Sequence, residues 1–207
     1  MTTRVVVVPP RVCALVAVAA PDTVRDALIA RVRPWVVHVH VVLPPDEGGD
    51  LRSGLGSAIF GAAAYWCRYD AVLVLDGDQT HLSTETARRV VAAHGRATSP
   101  RRPGLTVPVA ALPRPRVEYE FAAGKLARIR QAGAGDACRP GGLSDVGMFC
   151  LSTAGLSTAW LAYVSGAGTR AAHFLPFLPY LSQEHGWPVT VVPVGSPAGP
   201  LAAAGRR

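Results

Sequence analysis

Residues 71–75 (AVLVL) run directly into Asp76, Gly77 and Asp78, and these two carboxylates flanking one glycine are the most chemically pointed groups of the chain. Five consecutive apolar residues, two of them β-branched, read as a central strand of a parallel sheet buried on both faces. Carboxylates just past the C-terminal end of such a strand stand where open α/β sheets bind ligands. Gly77 keeps side-chain bulk out from between the two acids, so a phosphate or a hard cation could approach the backbone. Asp-Gly is also a common turn dipeptide, and a solvated strand-to-helix turn is an equal reading of the same residues.

The elements that must position these acids alternate between strand and helix signals, which predicts an α/β fold with a mostly parallel, mixed sheet flanked by helices. Residues 5–8 and 13–18 are both strand-like and are separated by Pro9 and Pro10; either could be the first central strand. Asp22 is a candidate N-cap for a helix over 23–33, ended by Pro34. Residues 36–43 (VVHVHVVL) read as a second strand. Its period places His38 and His40 on one face, a spacing that permits a metal pair, although packed strand histidines are the commoner outcome. A glycine-rich acidic loop then leads into a small-residue helix over 58–69.

Beyond Asp78, Ser83 heads a helix whose apolar face includes Val90, Val91 and His94. A strand over 105–111 follows, then a hairpin over 117–129 turning at Ala123-Gly124, with Glu118 and Glu120 expected on its exposed face. Residues 146–151 read as a strand with Asp145 at its mouth. A helix over 153–165, a proline-bounded segment over 174–186 and a strand over 189–194 complete a single domain spanning 1–194, with a flexible tail over 195–207.

At 207 residues and 49% apolar composition the chain can bury the core of one large α/β domain. A formal charge of +7 and a pI of about 9.8 favour acidic ligands. That excess is almost wholly arginine, since Lys125 is the only lysine. Such a bias can equally come from gene composition. Cys13, Cys67, Cys138 and Cys150 form no C-x-x-C pair, so reduced thiols and a cytoplasmic location are expected. Pro9, Pro10 and Arg11 break the apolar N-terminal stretch into pieces too short to cross a bilayer, and no membrane association is expected.

Taken in order, four segments resemble the nucleotidyltransferase superfamily with its GT-A-type, Rossmann-like fold. The likeness is to the N-acetylglucosamine-1-phosphate uridyltransferase domain and to the guanylyl- and cytidylyltransferase-like proteins of molybdenum-cofactor chemistry. The segments are LGSAIFGAA at 55–63, LVLDGDQTHLSTET at 73–86, EYEFAAGKLARI at 118–129 and SDVGMFCLSTAGL at 144–156. The second is the specific one, resembling the family's strand, Gly-Asp and helix start. Such a resemblance implies attack by a phosphate oxygen of a phosphorylated small-molecule acceptor on the α-phosphorus of a nucleoside triphosphate, with release of pyrophosphate. It implies that Asp78 holds Mg²⁺, with Asp76 beside it. It implies too that Gly56 and Ser57 meet the base or ribose, and that Asp145 and Gly147 meet the acceptor.

The family's glycine-rich triphosphate loop, with its lysine, has no match near the N-terminus, where only Arg11 and Arg25 offer cations. Proline cannot donate an N–H to a phosphate. Two leading expectations therefore stand, with a third behind them. One is a divergent enzyme that binds its triphosphate through Arg11, Arg25 or arginines from elsewhere. The other is a non-catalytic relative that binds a nucleotide, a sugar phosphate or a partner protein. A different metal-assisted reaction on the same scaffold is a third. Arginines from Arg96 to Arg130 interleave with Tyr119 and Phe121, but a solvated face explains them as well, and nucleic acid is not the expected partner. No serine stands in a G-x-S-x-G elbow.

Overall fold

The computed structural model describes residues 10–17, 22–42, 51–76, 82–167 and 173–195, with the backbone alone for 51–53, 76 and 167. One interior strand of the sheet is β1 (Val12–Ala17), whose six residues are all buried, as a strand covered on both faces requires. It pairs in parallel with β2 (His38–Val42) on one side and β3 (Ala71–Asp76) on the other. Of the two strand-like runs near the N-terminus, the one after the prolines therefore takes the interior position between β2 and β3. β3 pairs antiparallel with β8 (Met148–Ser152), which also pairs antiparallel with β4 (Leu105–Ala111). β9 (Val189–Pro193) joins β4 in parallel. Hence β1, β2, β3, β4 and β9 all point the same way in one mixed, mostly parallel sheet.

β7 (Leu143–Asp145) and β8 are two halves of one strand bent at Val146-Gly147, where an uninterrupted strand was expected. One side of this strand runs along β4, through both β8 and β7. Its other side is divided: β8 pairs with β3, while β7 pairs with β5 (Val117–Ala122) at Glu118↔Ser144. β5 and β6 (Lys125–Gln131) form the expected hairpin, turning through Ala123 and Gly124 with φ of 50° and 75°. The hairpin, β7 and the end of β4 consequently overhang the tips of β1 and β3.

Helices cover both faces. Alternate strand residues Cys13, Leu15, Val72, Val74 and Phe149 pack beneath α2 (Leu51–Gly61), α5 (Leu156–Ala167) and α6 (Phe174–Gln183). Ala14, Val16, Leu73, Leu75 and Cys150 pack against α1 (Asp22–Val32) and α4 (Thr84–Ala97) on the other face. This is the two-residue strand period turned into two cores. Ser83 caps α4 as its sequence predicts, its Oγ accepting from the Thr86 N–H at 3.0 Å.

Two elements differ from expectation. α2 begins at Leu51, inside the region read as loop, and after Ala62 a short α3 (Ala63–Trp66) completes the crossover. The proline-bounded segment is helical. Pro176 falls in the first turn of α6, where no intrahelical N–H bond is needed. Pro179 is tolerated inside α6 because Phe177, Leu178 and Leu181 are buried around it in the core.

Candidate functional site

The C-terminal edge of the parallel strands carries Asp76, the first of the acids singled out above. β1 and β3 end together at the pair Ala17↔Asp76. The β3–β8 ladder ends at Leu75↔Met148, so the next pair outward would bring Asp76 opposite Gly147. Gly147 has a φ of 71°, a conformation that disfavours a side chain, and the strand bends there. The bend is held by Asp145, a buried side chain whose Oδ1 accepts the Gly147 N–H at 2.7 Å. Asp76, Asp145 and Gly147, separated in the sequence by about seventy positions, thus gather at one edge beneath the overhang. Gly77 and Asp78 lie outside the described residues, and so does the side chain of Asp76.

Arg25 belongs to the same edge, since α1 starts just after β1 ends, beyond residues 18–21. Its guanidinium is already engaged by Asp22 at 2.8 Å and Asp26 at 3.3 Å, with 28% of the side chain exposed. Arg11 lies at the opposite edge. It precedes the first residue of β1, and a six-residue strand separates it from the Ala17 end, a span of about 20 Å at ordinary strand rise. Its backbone N–H donates to Asp70 Oδ2 at 2.8 Å, and its guanidinium carbon stands 5.4 Å from the centre of the Tyr69 ring. The cause is strand choice: once residues 12–17 form β1, Pro10-Arg11 precedes the strand and falls at its N-terminal end, away from Asp76.

Gly56 and Ser57 are inside α2 rather than on a loop. Gly56 is buried, while Ser57 is exposed beside a groove of about 510 Å³ shared with His40 and Tyr65. The His40 ring stacks on Tyr65 at 3.9 Å. Packing on Tyr65 accounts for the position of the ring.

The overhang contains a groove of about 670 Å³ between β5 and the turn before β7, lined by Tyr119, Glu120, Arg139, Gly142 and Leu143. Glu118, expected on an exposed face, is 0% exposed. Folding over of the 132–142 loop buries it, and Arg139 satisfies it: the Arg139 N–H donates to Glu118 Oε2 at 2.8 Å and Nε to Oε1 at 2.5 Å. The backbone N–H bond, followed by the guanidinium, holds the Glu118 carboxyl below its ordinary range. Glu120, partly exposed, takes Arg130 Nε at 2.9 Å. A Cβ on Gly142 would stand 2.8 Å from the Glu118 carboxylate, so only glycine lets the loop close on it. Arg139 was not singled out from the sequence; a lone arginine in a glycine-rich loop announces nothing until the carboxylate it covers is known.

Against solved structures, the chain superposes on a Bacillus anthracis protein assigned as a glucose-1-phosphate thymidylyltransferase, in complex with sucrose. The TM-score is 0.60 over 89% of this chain and 86% of that one, at 10% identity. It superposes equally, at TM-score 0.60 and 9% identity, on a CMP:2-keto-3-deoxy-manno-octonic acid synthetase complexed with CTP, covering 91% of this chain and 92% of that one. The fold is that of the nucleotidyltransferases. No protein-family model and no curated protein sequence matches the chain.

Among the described residues, no group of three or more His, Cys, Asp or Glu side chains is gathered to hold a metal ion. Asp145, at this edge, already accepts the bond that fixes the bend. No helix among the described residues is long and apolar enough to cross a membrane.

Proposed function

We propose that this protein is a divergent nucleotidyltransferase that binds a nucleoside triphosphate at the C-terminal edge of β1 and β3 and a phosphorylated small molecule under the overhang. The observation that carries the reading is the gathering of Asp76 and the Asp145–Gly147 bend at that edge, in a fold shared with a synthetase bound to CTP. In the reaction, a phosphate oxygen of the acceptor bonds to the α-phosphorus, the bond from that phosphorus to the β-bridging oxygen breaks, and pyrophosphate leaves. Chemistry of this kind needs in-line positioning and neutralised charge more than covalent help. Asp78, with Asp76 beside it, would hold Mg²⁺, which when bound offsets phosphate charge. In this reading Gly77 would keep the approach open, Asp145 and Gly147 would border the acceptor side, and Arg11 would have no part. A soluble phosphorylated acceptor fits a cytoplasmic location.

One observation favours a second reading, a relative that binds nucleotide without turning it over. Arg25 is the cation nearest the missing triphosphate loop in sequence, and it is bridged to two aspartates of its own helix. A thermal-shift panel of the common nucleoside triphosphates, with and without Mg²⁺, tests both. A Mg²⁺-dependent stabilisation is expected for one base, of about 2.7 kcal/mol at a ligand concentration 100-fold above Kd, and it should vanish in Asp78→Ala. Pyrophosphate release in the presence of sugar phosphates then separates turnover from binding. A flat panel defeats both readings of the site.

A further inference from the structure

At the opposite, N-terminal edge of the parallel strands, a cavity of about 550 Å³ opens between the start of β3, the end of β8 and the C-terminal half of α4. Its volume is that of a small-molecule pocket. Pro10, Tyr69 and Pro100 supply apolar wall, and Asp70, His94 and Ser152 supply polar groups. None of these residues belongs to the proposed nucleotide edge.

His94 and Ser152 are 1% and 3% exposed. His94 Nδ1 meets Thr106 Oγ1 at 3.0 Å, its Nε2 meets Ser152 Oγ at 3.3 Å, and Ser152 Oγ accepts the Gly104 N–H at 3.0 Å. Burial pushes the His94 imidazole down to about 4, so at neutral pH it carries one N–H and one bare nitrogen. Ser152, His94 and Thr106 then hold one proton each, for only two contacts among them. Whichever tautomer forms, one hydroxyl proton has no acceptor among the described residues. Thr106 is fully buried and does not line the cavity, whereas Ser152 does. Stranding a buried donor costs on the order of 1–3 kcal/mol. The favoured arrangement has Thr106 donating to Nδ1 and Nε2–H donating to Ser152, which leaves the Ser152 O–H directed at the cavity.

The lining holds one carboxylate, Asp70, and no cation once His94 is neutral. Arg11 and Arg68 hold their guanidinium carbons 5.4 and 5.6 Å from the Tyr69 ring centre and are not part of the lining. We propose that this cavity is a second binding site, for a small uncharged ring compound whose carbonyl-type oxygen accepts the Ser152 proton while the ring lies against Tyr69, Pro10 and Pro100.

Benzamide and its anionic counterpart benzoate are the probes, titrated into the ¹⁵N-labelled full chain with amide NMR as readout. Benzamide should cause saturable shifts at Gly104, Ser152 and Thr153, and benzoate should bind at least about tenfold more weakly because its charge faces Asp70. Ala154→Trp, a substitution at the exposed rim of the cavity, should abolish the shifts without changing Tm. Ser152→Ala should weaken benzamide at least about tenfold, which provides a second variant if the first fails to fold. Silence at these three amides, equal binding of benzoate, or unchanged binding in either folded variant would overturn the proposal. Nucleotides are read at the other edge, so this result and the nucleotide result are independent.

Discussion

His94 is a residue whose burial changes its acid–base chemistry within the accessible pH range. Its imidazole falls from an ordinary 6.5 to about 4 because burial disfavours the charged form. The unfolded chain therefore binds the extra proton first as pH falls. The stability that His94 contributes as a neutral group is complete above pH 6.5 and is lost between there and about pH 4, by about 3 kcal/mol in all. Urea unfolding at pH 7.5, 5.5 and 4.5 should show this decline, and His94→Gln should remove most of it above pH 4.5. An unchanged slope in the variant would mean that the imidazole is not buried in its neutral form. The depressed Glu118 carboxyl acts in a separate window: its contribution is present above its unfolded pKa, near 4.5, and is lost as pH falls further.

At the scale of elements, the overhang depends on one loop held to one strand. The 132–142 loop is anchored to β5 where Arg139 closes on the buried Glu118, and Asp136 assists by accepting the Gln131 N–H at 2.9 Å and Arg128 Nη2 at 2.7 Å. Glu118→Gln keeps the side-chain shape but leaves one neutral acceptor for Arg139 and turns the other contact into a donor facing a donor. Faster amide hydrogen exchange is expected across 139–142, with little change in α2 or α6. The other face is an aromatic stack in which Phe60 lies flat on Trp160 at 4.3 Å and Phe177 meets Trp160 edge-on at 5.1 Å. Phe177 is fully buried there. That density of contact makes a helix of the segment containing Pro176 and Pro179, against its local propensity.

For the whole molecule, the decisive geometry is that the parallel strands have two edges, and the sheet separates the candidate nucleotide site from the cavity around His94. Under the nucleotide reading, Arg11→Ala should leave triphosphate affinity within about twofold, because Arg11 is about a strand's length, roughly 20 Å, from Asp76. A loss of tenfold or more, measured by nucleotide-dependent thermal shift, would move the triphosphate to the other edge and overturn the placement.

Local chemistry determined much of this protein in advance. The buried pattern of residues 71–75, the Ser83 cap, the strand over 105–111 and the Ala123-Gly124 turn were legible because strand burial, capping and left-handed turns depend on a few neighbouring residues. Alternating strand and helix signals fixed the fold class for the same reason. Tertiary structure alone decided which valine-rich run became the central strand, and with it the edge to which Arg11 belongs. It alone buried Glu118 under Arg139 and joined His94 to Thr106 and Ser152. Those outcomes depend on partners 12 to 58 positions away in the chain, and no local periodicity encodes contact across such distances.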